Sequence, residues 1–250
     1  MKLTARGESD ERLSRIFKIL YQAYPKAHIV LNYANPWELL VSVILSAQCT
    51  DIMVNKVTAK LFTKYKNLDE YVNADIKEFE TDIRSTGFYH NKAKNILAAA
   101  KLIKTKFKGK VPETMEEILT LPGVARKTAN VVLGNAFGVV EGIAVDTHVH
   151  RLSQRLRLVD LSKIGGKKTL YFGRLGLLKS SRPSLGATIV DYKKDADPVK
   201  IEKELMQTFP KSDWFKLTYL LIDHGRAVCK AQKPDCKTCF LNKLCPAARV

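Results

Sequence analysis

Apolar residues recur along the chain at helical rather than strand spacing. Leu13, Ile16, Phe17 and Leu20 share one helical face, behind Ser9 as an expected N-cap and ahead of Pro25 as a stop. Asn35-Pro36-Trp37-Glu38 supplies a capping side chain, a proline at the first helical position and a glutamate at the third. The stretch 39–47 that follows is apolar almost all round, so its helix belongs at the centre of a helical core. Further helices are predicted from Asp51 past Leu61, over 76–83, 91–107, 115–119 and 125–137, after Asp146, and over 199–208 and 214–228. Strand signals are confined to 160–196. There 169–172 and 187–192 each read as a short strand around Pro183 and Gly186, with Gly165-Gly166 and Asp197-Pro198 at the edges. The expected class is all-α with a small β excursion. No run of about 18 apolar residues occurs, so no membrane span is expected.

Charge changes this picture. Lys and Arg number 42 against 25 Asp and Glu, a net +17 that points to a polyanionic partner. No basic amphipathic helix stands alone, so nucleic acid is favoured over membrane. The 160–196 segment is itself basic, with eight Lys/Arg against three Asp. With 250 residues and 46% hydrophobic content the chain can bury a real core, as one large domain or two small ones. Met1-Lys2-Leu3-Thr4-Ala5-Arg6 turns polar at once, so no secretory leader is expected and a cytoplasmic location is.

In a reducing compartment, closely spaced cysteines read as metal ligands rather than disulfides. Cys229, Cys236, Cys239 and Cys245 form C-x6-C-x2-C-x5-C. Spacing alone admits zinc or an iron–sulfur centre, although zinc sites more often show two C-x2-C pairs. Cys49 stands apart in an apolar stretch and reads as a small buried hydrophobe.

Two further constellations carry chemistry. In Leu121-Pro122-Gly123-Val124-Ala125-Arg126-Lys127-Thr128-Ala129 a short helix is expected to end at Leu121, Pro-Gly turns the chain, and a second helix starts at once. The uncapped N–H groups of such a helix start grip phosphate without reading bases. An ordinary corner between helices would share the Pro-Gly, but the Arg-Lys-Thr-Ala that follows and the chain's charge favour the phosphate reading. Lys127 falls in the first turn, where the helix dipole opposes a cation and so favours the neutral, nucleophilic amine. In Val145-Asp146-Thr147-His148-Val149-His150-Arg151, Asp146 is placed to cap a helix, which would also fix its carboxylate. His148 and His150 lie two apart and face different ways, against a shared metal.

The run from Leu121 to Gly138, then Val145-Asp146-Thr147-His148-Val149, then the cysteine motif, in this order and spacing, closely resembles the endonuclease III family of helix-hairpin-helix DNA glycosylases. The resemblance covers nearly the whole chain apart from 160–196. It implies two lobes around a DNA-binding cleft: a helical barrel over 29–140, and a discontinuous lobe of 1–28 and 141–250 holding a structural [4Fe-4S] cluster on the four cysteines. It also implies excision of damaged, chiefly oxidised, pyrimidines from double-stranded DNA by a monomer, with abasic-site lyase activity.

The resemblance assigns roles. Lys127 attacks C1′ and forms a Schiff base, after which β-elimination cuts the strand. Asp146 stabilises positive charge at C1′ and helps to deprotonate the lysine. Gln48 matches the residue that fills the gap left by the flipped base. Phe88 stands at a wedge position usually held by leucine, where an aromatic ring could stack on a base; core packing is the competing reading. Gly123, Val124, Ala125 and Arg126 form the phosphate-binding hairpin, and Lys230 and Lys233 meet phosphates from the loop between the first two cysteines. Two features depart from the family. Ala125 replaces a common glycine, which a helical backbone tolerates. The 160–196 insert is expected to add a DNA contact or to alter which bases are accepted. A monofunctional adenine-mismatch glycosylase and a non-catalytic DNA-structure binder are the competing functions. Lys127 argues against the first, and Lys127 with Asp146 against the second.

Overall fold

A computed structural model of the chain describes residues 5–173, 176–178 and 189–249. They are mostly helical and divide into two compact units, Ile29–Glu141 and Met1–His28 with Gly142–Val250.

The 29–141 unit is built on α2 (Pro36–Leu45). Asn35 caps it by accepting from the Glu38 N–H at 3.0 Å, and the Glu38 carboxylate reaches back to the Ala34 N–H at 2.6 Å. Leu39, Leu40, Val41 and Leu45 on this helix are fully buried. Around it lie α3 (Asp51–Lys64), α4 (Leu68–Val72), α5 (Ile76–Ile83), α6 (Tyr89–Lys106), α7 (Met115–Ile118) and α8 (Arg126–Val132). The unpredicted α4 repeats the box of α2, with Asn67 capping and Glu70 reaching back to the Lys66 N–H. Trp37, Tyr65, Tyr71 and Phe79 form an aromatic cluster with ring centres 5.1–5.8 Å apart. Past α8 the helix widens into a π-helical turn, Leu133–Phe137, and stops at Gly138 with φ +68°.

The other unit combines α1 (Ala5–Ala23), α9 (Thr147–Arg155), α10 (Pro198–Thr208), α11 (Lys211–Ala227) and the cysteine segment. Ser9 does not cap α1: the helix begins four residues earlier, in keeping with the helix propensity of Ala5, Arg6 and Glu8. Leu13, Ile16 and Leu20 are buried as expected. The Arg12 guanidinium donates to the carbonyls of Leu156, Arg157 and Leu244, tying α1 to the end of α9 and to the cysteine segment. A Cβ on Gly225 would stand 2.5 Å from His148 Nδ1 and 3.2 Å from an Arg151 nitrogen, so glycine lets α11 lie against α9.

Between α9 and α10 the chain makes a small antiparallel sheet in the order β2-β1-β3, with β1 Thr169–Gly173, β2 Gly176–Leu178 and β3 Ile189–Lys193. Ala187 and Thr188, expected in the last strand, lie outside the described residues. At the neck, the Asp195 carboxylate accepts from the N–H groups of Lys167 and Lys168, and Gly166 at φ +80° leaves no room for a Cβ against the Ala196 backbone. Among the described residues no helix is long and apolar enough to cross a membrane.

Candidate active site and nucleic-acid interface

Four residues make the hairpin turn. The Val124 N–H bonds to the Leu121 carbonyl at 3.2 Å, with proline second and glycine third, the pattern of a type II turn. Gly123 has φ +79°, and a Cβ there would meet Asn95 Cβ at 2.9 Å, so both backbone and space demand glycine. Leu121 and Val124 are buried and anchor the turn. The helix before it ends at Ile118, three residues short of the expected Leu121, because the chain turns through Leu119 and Thr120 first. Ala125 is not helical: it is the N-cap of α8 at φ −97°, ψ 169°, an extended conformation open to alanine. Having no side-chain oxygen, Ala125 cannot cap, so the first N–H groups of α8 are not consumed by their own N-cap. Lys127 is the second residue of this helix and its side chain is exposed.

Gln48 and Phe88 share an unusual backbone. They lie at φ 54° and 48°, left-handed values that cost a residue with a Cβ about 1 kcal/mol or more. Both side chains are exposed, Phe88 at 64%, which removes the core-packing reading of Phe88. Ile52, four residues beyond Gln48, is 84% exposed. Cys49 is half-buried rather than buried, against the core of this unit.

A residue that sequence reasoning passed over holds these two loops. Lys92 on α6 is only 5% exposed, and its ammonium donates to the Leu45 carbonyl at 2.9 Å and the Thr86 carbonyl at 2.8 Å. Leu45 ends α2 just before the Gln48 loop, and Thr86 precedes Gly87-Phe88. Burial holds the Lys92 ammonium below its usual pKa, the cost of placing a cation there. Lys92→Met strands both carbonyls, and a loss of about 2–4 kcal/mol is expected. Thermal melting checks the loss, and hydrogen exchange should accelerate around Gln48 and Phe88 first.

Asp146 caps α9. Its Oδ1 accepts from the N–H groups of His148 and Val149, both at 2.8 Å, so the carboxylate is oriented by the helix it opens. Farther along the same helix, Arg151 donates to the Cys229 carbonyl at 3.0 Å, and Arg155 to the Lys230 and Ala231 carbonyls, each at 2.8 Å. His150 Nε2 lies 3.0 Å from the Ala196 carbonyl, and His148 Nδ1 lies 3.2 Å from an Arg151 guanidinium nitrogen.

The four C-terminal cysteines line one small pocket, together with Arg155, His224 and Asp235. Arg155 donates to Cys229 Sγ at 3.4 Å, and the Leu241 N–H to Cys239 Sγ at 3.4 Å. Burial pushes the Cys245 thiol up to about 12, and the neighbouring cysteines add to the rise against a backbone hydrogen bond from Ala247. Among the described residues no three His, Cys, Asp or Glu side chains converge on a point that would hold a single ion. Lys230 and Lys233 are exposed on the loop that leaves Cys229.

The profile of the HhH-GPD superfamily of base excision DNA repair proteins matches residues 41–169. Endonuclease III of Synechocystis sp. is 46% identical over 239 residues, 96% of this chain and 94% of the relative. Endonuclease III of Bacillus subtilis is 42% identical over 222 residues, 89% of this chain and 86% of the relative. Among solved structures, a trapped endonuclease III–DNA covalent intermediate is 38% identical with a TM-score of 0.79, covering 99% of this chain and 98% of that one. The chain belongs to the endonuclease III family of HhH-GPD base excision repair proteins, the bifunctional DNA glycosylases with AP lyase activity.

Proposed function

We propose that Lys127 and Asp146 carry the chemistry of this DNA glycosylase and AP lyase, with damaged, chiefly oxidised, pyrimidines in double-stranded DNA as substrates. The observation that carries the reading is Lys127, an exposed amine in the first turn of a helix whose N-cap offers no oxygen. The N–H groups at that helix start, with Gly123 to Arg126, receive a DNA phosphate. Lys127 Nζ, as the free amine, attacks C1′ of the flipped nucleotide. The C1′–N bond breaks and the base leaves with the bonding pair and a proton. The C1′–O4′ bond then breaks, O4′ takes a proton from solvent to become a hydroxyl, and an iminium forms between C1′ and Nζ. Loss of a proton from C2′ then expels the 3′ phosphate, and water frees the lysine. The Asp146 carboxylate, held by its two N–H donors, offsets the positive charge that develops at C1′. Gln48 enters the gap left by the flipped base and its amide pairs with the orphaned partner, while Phe88 stacks on the neighbouring base.

The four cysteines hold a [4Fe-4S] cluster. Zinc would draw all four sulfurs to about 2.3 Å from one point. Cys229, Cys236, Cys239 and Cys245 line a common pocket without converging on a single-ion site, and together they would hold a four-iron cluster. The cluster, when bound, supplies positive charge and cross-links, not bond-breaking. The cysteine segment then presents Lys230 and Lys233 to DNA phosphates.

The activity is tested on a duplex with a single oxidised pyrimidine. Base loss should be followed by strand cleavage 3′ to the site, leaving an unsaturated sugar end. Base loss with the strand intact would contradict the lyase role given to Lys127. The cofactor is tested by analysis of the purified protein, which should hold about four iron and four sulfide per chain. One zinc per chain would contradict it.

A further inference from the structure

The structure assigns the 160–196 insert a definite role: its strand β3 supplies Asp191 as the buried counter-charge of Arg155, and through Arg155 the insert braces the loop that follows Cys229. Asp191 is a positioning residue, acting on the cysteine loop at second hand.

All five N–H bonds of the Arg155 guanidinium find an acceptor. Nε donates to Asp191 Oδ1 at 2.6 Å, and one terminal nitrogen to Asp191 Oδ2 at 2.9 Å and the Ala231 carbonyl at 2.8 Å. The other terminal nitrogen donates to the Lys230 carbonyl at 2.8 Å and to Cys229 Sγ at 3.4 Å. The side chains of Arg155 and Asp191 are 2% and 1% exposed, so the pair is bidentate and dry. Such a cation cannot stay buried without its carboxylate. Arg249 approaches the same carboxylate at 3.5 Å, and the ring of Tyr192 lies 5.4 Å from the Arg155 guanidinium carbon. The strand is itself stitched to α9. The Lys193 N–H donates to Gln154 Oε1 at 2.8 Å and Gln154 Nε2 returns a bond to the Lys193 carbonyl at 3.2 Å, while Arg157 donates to the carbonyls of Val190 and Asp191. The insert thus reaches the loop of Lys230 and Lys233 by a continuous chain of hydrogen bonds. A segment added only to touch DNA or only to decorate the surface does not require a buried carboxylate at this point.

The experiment compares the full-length protein with Asp191→Asn and with the double variant Arg155→Met/Asp191→Met, by hydrogen exchange and thermal melting. Asp191→Asn should speed exchange over 229–236 at least tenfold and lower the melting temperature. The double variant removes the unpaired charge along with the bonds. It should recover melting toward that of the parent while the 229–236 loop stays deprotected. Parent-like protection of that loop in the double variant would overturn the proposal, and so would parent-like protection in a folded Asp191→Asn protein. A second readout rests on the cofactor reading above: the visible absorption of the iron–sulfur centre should bleach in air at least threefold faster in both variants. A parent protein without iron would sink the cofactor reading while leaving the exchange measurement to judge the brace.

Discussion

Replacing Lys127 by glutamine should lower strand cleavage at an abasic site by at least about 10⁴-fold, since it removes the amine proposed to form the covalent intermediate. The reason is local. Lys127 sits at the second position of α8 with its side chain in solvent. Glutamine keeps much of the length and removes the amine. Leu121 and Val124 anchor the turn from below, and Gly123 fits against Asn95, so the hairpin does not depend on the lysine. Melting should therefore move by less than about 0.5 kcal/mol, the range of surface substitutions. Binding to intact DNA should weaken only slightly, and the slope of log affinity against log salt should fall by no more than about one. Titration at several salt concentrations beside a cleavage time course separates the two effects. A large loss of affinity at unchanged cleavage would mean that the lysine only binds phosphate.

Asp146→Asn is expected to lower base excision by about 10²–10³-fold while leaving the fold nearly untouched. Asparagine caps helices about as well as aspartate, and its Oδ1 can keep the bonds to the His148 and Val149 N–H groups. What it loses is the charge, which is also worth about 0.3–1 kcal/mol at a helix start. Asp146→Ala removes charge and cap together and should cost about 1 kcal/mol more in stability than Asp146→Asn. Single-turnover excision and thermal melting of the two variants divide the carboxylate's two roles. Equal excision by the parent and Asp146→Asn would leave the cap as its only role.

The readable parts of the chain were those whose cause is local. Asn35 with Pro36 and Asp146 cap helices that begin beside them, and the Pro-Gly turn dictates its own geometry. Apolar periodicity placed α5 to the residue and α6 within two. The five residues of α4 are too few for a periodic signal, although Asn67 and Glu70 mark its start in the way Asn35 and Glu38 mark α2. The left-handed backbone of Gln48 and Phe88 has no residue signature, because glutamine and phenylalanine are not the types that favour it. Lys92 was hidden for a related reason. A lysine on an amphipathic helix reads as solvated, and only the fold brings the Leu45 and Thr86 carbonyls to it. The Arg155–Asp191 pair spans 36 residues, across a segment whose composition suggested an outward-facing basic surface. Charge counting identified the partner of the protein but not the one carboxylate in that segment that the fold buries.

The measurement that reaches the centre of the account is reductive trapping. The protein is incubated with abasic-site DNA and borohydride, digested, and the adducted peptide sequenced by mass spectrometry. A covalent adduct on the Nζ of Lys127 is expected, absent in Lys127→Gln. No adduct with the parent protein, or an adduct on another amine that persists in Lys127→Gln, would contradict it.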